Sequence, residues 1–445
     1  MLRTILVLVT AAVGFGYALR GPFYGLLLYL WVAYFRPEQW AWSGDLILSL
    51  QLSTVAAVCV LLGALASRTR WPFNLRIALL FLFLLQTVLS LAFAVDTNYA
   101  WPYWVEFVKT IIMAYMIVSL TTTTDRLRMA FLTIAVSLGL ESAKQGWIEM
   151  VIHPGAPNLN ALPMLGDNNG VAVGMLMLVP ILTVLASTAT TRYERLFLRF
   201  LTFGVLYRGI VTYSRGGFLA ASALAVFYIL RSQRRLPALA GILTASLLVA
   251  PILPDTFWQR MGTIKSPERA DESADNASAL SRLHFWSVAT DMAADRPIFG
   301  VGYNSFNRAY DQYDSLKGTF GHNRSVHSAW FGLLAEVGYP GLLLFLAQLL
   351  LAVRACWRAR AASRLGPEHA VLKQFAFAIE ASLLVFVIGA TFLPFQYNEM
   401  IWHVLAFSIA LDIMARRAME TAAEARLAPL PAFGGLVTDP VAAVS

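Results

Sequence analysis

The sequence predicts an all-α polytopic membrane protein, with about 12–13 transmembrane helices and one large, partly helical periplasmic loop. Three observations predict it. Of 445 residues, 58% are hydrophobic and only 13% charged, about half the charge of an ordinary soluble domain. Apolar runs of roughly 17–25 residues, long enough to cross a bilayer as helices, recur along the chain. One water-compatible stretch, residues 254–326, interrupts a chain whose other connections are short.

The runs lie near residues 4–19, 21–35, 46–66, 76–94, 104–120, 129–150, 169–187, 197–213, 217–230, 237–253, 327–353, 374–394 and 399–415. Backbone amides in lipid must bond within their own segment, so each run is read as a helix. None shows the alternating pattern of a membrane barrel. Arg20-Gly21-Pro22 breaks the first apolar stretch, which leaves either two helices or one span with an interfacial piece. The resulting organisation is N-terminal membrane helices over 1–253, a loop over 254–326, C-terminal membrane helices over 327–415 and a disordered cytoplasmic tail over 416–445. Arg3 and the apolar run after it could begin a signal peptide, but no small-residue cleavage site follows, so this segment is expected to be retained.

The net charge of +8 sits mostly in short interhelical loops, the distribution expected of cytoplasmic loops and not of a nucleic-acid partner. Arg68 and Arg70, Arg126 and Arg128, Arg192, Arg195 and Arg199, Arg231, Arg234 and Arg235, Arg354, Arg358, Arg360 and Arg364, and Arg416-Arg417 mark one side. The loops near Asp96, His153 and Tyr397 carry almost no Lys or Arg and fall on the other side, together with the long loop. Cys59 lies in a span and Cys356 in an Arg-rich loop, so neither a disulfide nor a metal site is expected. No cofactor is expected either.

Chemistry-bearing residues gather at the outer face. Tyr213-Ser214-Arg215-Gly216-Gly217 joins two spans there. A guanidinium in that place can grip phosphate oxygens with two prongs. The competing reading is an arginine snorkelling to head groups. Ser281-Arg282-Leu283-His284-Phe285-Trp286 lies in the long loop, on an amphipathic helix near 278–294 with Leu280, Leu283, Trp286 and Val288 largely inward. Arg282 and Trp286 are one turn apart, which also suits an arginine packed on an aromatic ring. Gly300-Val301-Gly302-Tyr303-Asn304 lacks the third glycine and βαβ context of a dinucleotide fingerprint, and is read as a tight turn. His327, opening the next span, is the candidate general base, since a neutral imidazole takes up a proton near neutral pH. Glu336, nine residues on, is read as a buried network carboxylate. Asp167-Asn168-Asn169 opens another span as a helix cap or a substrate contact. Further candidate substrate contacts are Tyr213, Trp286, Tyr303, His322 and Arg324.

As a set, Ser214-Arg215-Gly216-Gly217, Arg282 with Trp286, residues 300–306, His327-Ser328, Glu336-x-Gly338 and Pro340-Gly341 resemble the O-antigen ligase and polymerase superfamily of bacterial inner-membrane proteins. The stretch 19–31, the Arg36-Pro37 that follows it and Asp167-Asn168-Asn169 resemble a narrower branch, the O-glycosylation ligases that accompany exosortase A systems. The resemblance implies a glycosyltransferase of the inner membrane, and the lack of an Asp-x-Asp pair in an outer loop suits a metal-independent reaction. It would move a glycan from an undecaprenyl diphosphate carrier to a protein or saccharide hydroxyl at the periplasmic face, with inversion. Carried over by motif, Arg215 and Arg282 would hold the diphosphate and His327 would activate the acceptor. Two alternatives stay open: a polymerase of lipid-linked repeat units and a polysaccharide or lipid transporter.

Overall fold

The computed structural model describes residues 2–262 and 274–427, with no account of the side chains of 274–279 and 426–427. All its regular elements are helical, apart from one isolated bridge between Leu162 and Gly166. The N-terminal helices are α1 (Leu2–Ala18), α2 (Pro22–Phe35), the short α3 (Pro37–Trp40) and α4 (Gly44–Ser49), then α5 (Leu52–Ala66), α6 (Leu75–Ala92), α7 (Thr97–Leu120) and α8 (Thr124–Val151). They continue through α9 (Asn168–Ser187), α10 (Arg192–Ile210), α11 (Arg215–Arg231) and α12 (Arg235–Val249). The long loop holds α13 (Asp255–Gly262), α14 (Ala274–Asp295) and α15 (Phe306–Tyr313). The chain returns through α16 (Ala329–Ala362), α17 (Leu372–Gly389) and α18 (Glu399–Leu427).

Among the described residues, seven helical segments are long and apolar enough to cross a membrane. The other long helices fall short of that criterion for physical reasons. α1 and α2 have only 17 and 14 residues, and α8, α10 and α18 carry ionic residues along their length. The Arg20-Gly21-Pro22 break does separate two helices, with Pro22 at the first turn of α2, where its missing N–H is no loss. The run expected at 46–66 is one of the seven, Gly44–Ala66, with a local break in its helix at Gln51, whose φ is 45°. α18 continues through Arg416-Arg417 to Leu427, so the stretch expected as a tail begins as helix; residues 428–445 lie outside the described residues.

Helix starts follow local capping chemistry. Asn74, Asp96, Thr123, Asp167, Thr191 and Ser214 each accept a hydrogen bond from an amide of the first turn they precede. These caps satisfy donors that have no partner within the helix. α9 is the central helix, nearly all of it buried among α8, α10, α11 and α17. α12, by contrast, buries none of its residues and touches mainly α11, as a lipid-facing helix would.

The loop has its own small core. Phe285, Val288, Ala289 and Met292 form one stripe of α14 and pack with Val301, Phe306, Ala309, Tyr310 and Val326. That stripe corrects the expected inner face: Leu280 and Leu283 are both 60% exposed, because the buried positions repeat from Phe285 and not from Leu280. His284 bonds Asp314 at 2.7 Å, tying α14 to the turn after α15.

A break in α16 anchors this loop to the bundle. Gly338 has φ 68° and ψ −175° inside the helix, a conformation open essentially to glycine alone. A Cβ there would stand 2.6 Å from the carbonyls of Pro297 and Ile298. The loop backbone fills the notch: Tyr339 N donates to Pro297 O at 2.9 Å and Val301 N to Ala335 O at 2.8 Å. Gln86 of α6 donates to both Ile298 O and Val337 O, and Ser90 to Glu336 O, so carbonyls freed by the break are matched.

Candidate active site

The site forms where five chain segments meet at one end of the bundle: the start of α9, the α10–α11 junction, the loop helices α13 and α14, the residues before α16, and the α17–α18 connection. Ser214 caps α11 through Gly217 N at 3.1 Å and donates to Asn169 Oδ1 at 2.9 Å. Asn168 Nδ2 donates to Thr212 O at 3.0 Å. These bonds lock the start of α9 against the α10–α11 junction and place Arg215 in the first turn of α11.

Arg215, Arg282 and Arg260 line one cavity of about 170 Å³, together with Asn168, Asn169, Ser214 and the wall of Gly389, Phe392 and Leu393. Arg282 is half-buried, and its pKa is held below the ordinary arginine value by burial and by the Arg215 and Arg260 charges, with Asp167 opposing. Three guanidiniums around one small cavity raise its positive potential, which suits an anionic ligand.

His327 lines a neighbouring cavity of about 580 Å³, and the two cavities share Leu393 in their walls. The same cavity is lined by Tyr99, Asp167, Asn307, Glu336, Gln396 and Asn398. Burial, Arg282 and Arg324 push the imidazole pKa down from its usual value, against Asp167, which raises it. The ring is therefore neutral at pH 7 and able to accept a proton. The His327 backbone has φ 48°, a left-handed conformation that costs of order 1–3 kcal/mol for a non-glycine residue.

Glu336 is buried. Its Oε1 accepts from Phe306 N at 3.2 Å and its Oε2 from Gln396 Nε2 at 3.1 Å, the network role expected of it. Asp167 is the α9 cap, accepting from Asn169 N at 3.1 Å and Gly170 N at 3.0 Å, and it also faces the His327 cavity. Arg324 lies over the Phe285 ring at 5.7 Å, near enough to His327 to lower its pKa.

Several expected substrate contacts fall elsewhere among the described residues. Tyr213 is 5% exposed and donates to Gly155 O at 2.7 Å; it fastens the 152–167 connection and lines neither cavity. Tyr303 is 2% exposed and packs on Tyr397 at 4.3 Å, because the turn around Gly302 drives it into the core. His322 is exposed at the loop surface beside Asp311. Trp286 stacks on Phe331 at 5.1 Å, which leaves Arg282 directed to the cavity and not onto the indole.

Sequence reasoning missed Arg260. It lies near the end of the eight-residue helix α13, and only the docking of that helix on α11, through Phe257 against Tyr213 and Phe218, brings it to Arg215. The amphipathic pattern of Phe257 and Met261 was the one available signal, and it speaks for packing, not for a site.

Residues 200–346 match the O-antigen ligase family. That domain contains Arg215, Arg260, Arg282 and His327, and it supports a place in the O-antigen ligase superfamily with a membrane glycosyl-transfer role. Residues 1–188 match a family of unknown function (DUF5935). No curated protein matches the chain.

Proposed function

We propose that the protein is a glycan ligase that takes its donor sugar from an undecaprenyl diphosphate carrier at the periplasmic face of the inner membrane. The observation that carries this is the pairing of a three-arginine cavity with a cavity holding an uncharged histidine. The arginine cavity takes the diphosphate, and the larger one admits the acceptor hydroxyl of a protein or saccharide.

In the step, His327 removes the proton from the acceptor hydroxyl as its oxygen attacks the anomeric carbon. The bond from that carbon to the phosphate oxygen breaks on the opposite side, so the configuration inverts. The electron pair leaves on the diphosphate, where Arg215, Arg260 and Arg282 stabilise the growing charge. Guanidiniums can supply this neutralisation without a metal ion. His327 then releases its proton to solvent. The N-terminal motif at 19–31 supports a narrower assignment, transfer to protein hydroxyls in an exosortase-linked system.

The test is transfer from purified carrier-linked glycan in vitro, with Arg215→Ala, Arg282→Ala and His327→Ala compared at equal membrane insertion. All three are expected to lose transfer, and the carrier-linked precursor is expected to accumulate in cells. Products made only of joined repeat units would make the protein a polymerase. Movement of the lipid-linked glycan across the membrane without any transfer would make it a transporter.

A further inference from the structure

At the end of the bundle opposite the candidate site, a cavity of about 300 Å³ opens between α6, α16 and α18. Its charged lining is Arg76 from α6, Arg354 and Arg358 one turn apart on α16, and Asp412 and Arg416 one turn apart on α18. Four guanidiniums thus meet one carboxylate. That carboxylate is already engaged, since Arg358 donates to its Oδ1 and Arg416 Nε to its Oδ2 at 3.1 Å.

Arg76 is the unusual member. It is 5% exposed, and its backbone is pinned on both sides: Asn74 caps its N–H, and Gln348 Nε2 donates to its carbonyl at 2.7 Å. One terminal nitrogen, Nη2, donates to Ser408 Oγ at 2.6 Å. Nε and Nη1 are buried with no hydrogen-bond partner among the described residues. A buried guanidinium with two unmatched donors is disfavoured unless an acceptor completes it. The proposed transfer reaction makes no use of this residue.

A phosphoryl group has the oxygens that Nε and Nη1 need and the charge that the other arginines would share. The surroundings say how it is presented. Leu75, in the cavity wall, is 67% exposed, and the adjacent Phe73 and Leu350 are 77% and 71% exposed. Apolar surface at the mouth of a basic interhelical pocket suits acyl chains beneath a phosphate headgroup. The arginine-rich loops put this end at the cytoplasmic side, where such pockets receive anionic lipids. We propose that this cavity is a binding site for the phosphate headgroup of an anionic lipid, with Arg76 at its floor and Arg354 and Arg416 at its rim.

The test uses the full chain in detergent micelles doped with phosphatidylglycerol, phosphatidylethanolamine or inorganic phosphate, and reads the thermal unfolding midpoint. Wild type is expected to gain stability with the logarithm of phosphatidylglycerol concentration, as for any ligand that binds only the folded state. Phosphatidylethanolamine should add little. The exposed-rim variant Arg354→Gln/Arg416→Gln should fold normally and lose the response. Arg76→Met should lose it as well, without a lower midpoint in undoped micelles. An equal phosphatidylglycerol response in the rim variant would overturn the proposal. So would a full response to inorganic phosphate alone, which would assign the site to a soluble anion.

Discussion

Arg260→Gln isolates the contribution of the one arginine that only the folded chain brings to the cavity. Arg260, Arg215 and Arg282 surround about 170 Å³, and Arg282 already responds to the charge of both neighbours. A hydrogen bond to a charged group contributes about 1.5–3 kcal/mol net. At 1.36 kcal/mol per factor of ten, losing one such contact to the leaving diphosphate lowers kcat/KM by about 10- to 150-fold. Glutamine keeps a donor and similar bulk, so the loss reports charge and two-pronged geometry and not an emptied site. Lysine keeps the charge as a point without the fork, so Arg260→Lys should fall between wild type and Arg260→Gln. The assay is initial-rate transfer from purified lipid-linked donor over a range of donor concentrations, with free undecaprenyl diphosphate as a competing ligand. Product inhibition should weaken in parallel with kcat/KM. An Arg260→Gln protein that is properly inserted, has kcat/KM within about threefold of wild type and shows unchanged product inhibition would refute the three-arginine account of the leaving group; that threshold lies below the smallest loss the hydrogen-bond figure allows.

Two further outcomes follow from the same geometry. Because the pKa of His327 is lowered in the folded protein, the base is neutral at pH 7, and transfer should fall only as acidification passes below the usual histidine value of ~6.5. In the pH dependence of kcat/KM, Arg324→Gln should move this acid limb upward, since a charge that lowers the pKa has gone, and Asp167→Asn should move it downward; limbs that stay in place would remove His327 as the titrating base. Gly338→Ala should sharply reduce folded protein, because the new Cβ would meet two loop carbonyls at 2.6 Å in a backbone conformation that alanine resists. Protease resistance of the loop and yield of inserted protein would show this, and wild-type values for both would contradict the notch as the loop's anchor.

Much of the architecture was legible in the chain because membrane insertion depends on local composition. Apolar runs long enough to cross a bilayer must form helices whatever they later pack against, so α6, α9 and α17 lie close to where the sequence predicts them. Arg215 stands out on the same ground: a cation between two spans on the face poor in Lys and Arg carries its own oddity, as does a histidine at the foot of a long helix. Arg282 was legible through motif order, although its spacing from Trp286 suggested an aromatic partner that the folded loop gives to Phe331 instead.

The helical class, the break at Arg20-Gly21-Pro22, the singular loop and a short set of candidate groups at one end of the bundle can all be read from the residues alone, because each depends on hydropathy, charge or a residue's own backbone limits. Which of those groups share a cavity depends on how the helices and the loop pack. Tyr213 and Tyr303 went into the core, His322 went to the surface, and Arg260 entered from an otherwise ordinary amphipathic turn. The physical reason is that the loop's register is set by contacts far apart in sequence, chiefly the backbone of 297–301 seated in the Gly338 break under Gln86. Periodicity tells which face of a helix is buried; it does not tell against what, and the three arginines line one cavity only once those distant segments are held together.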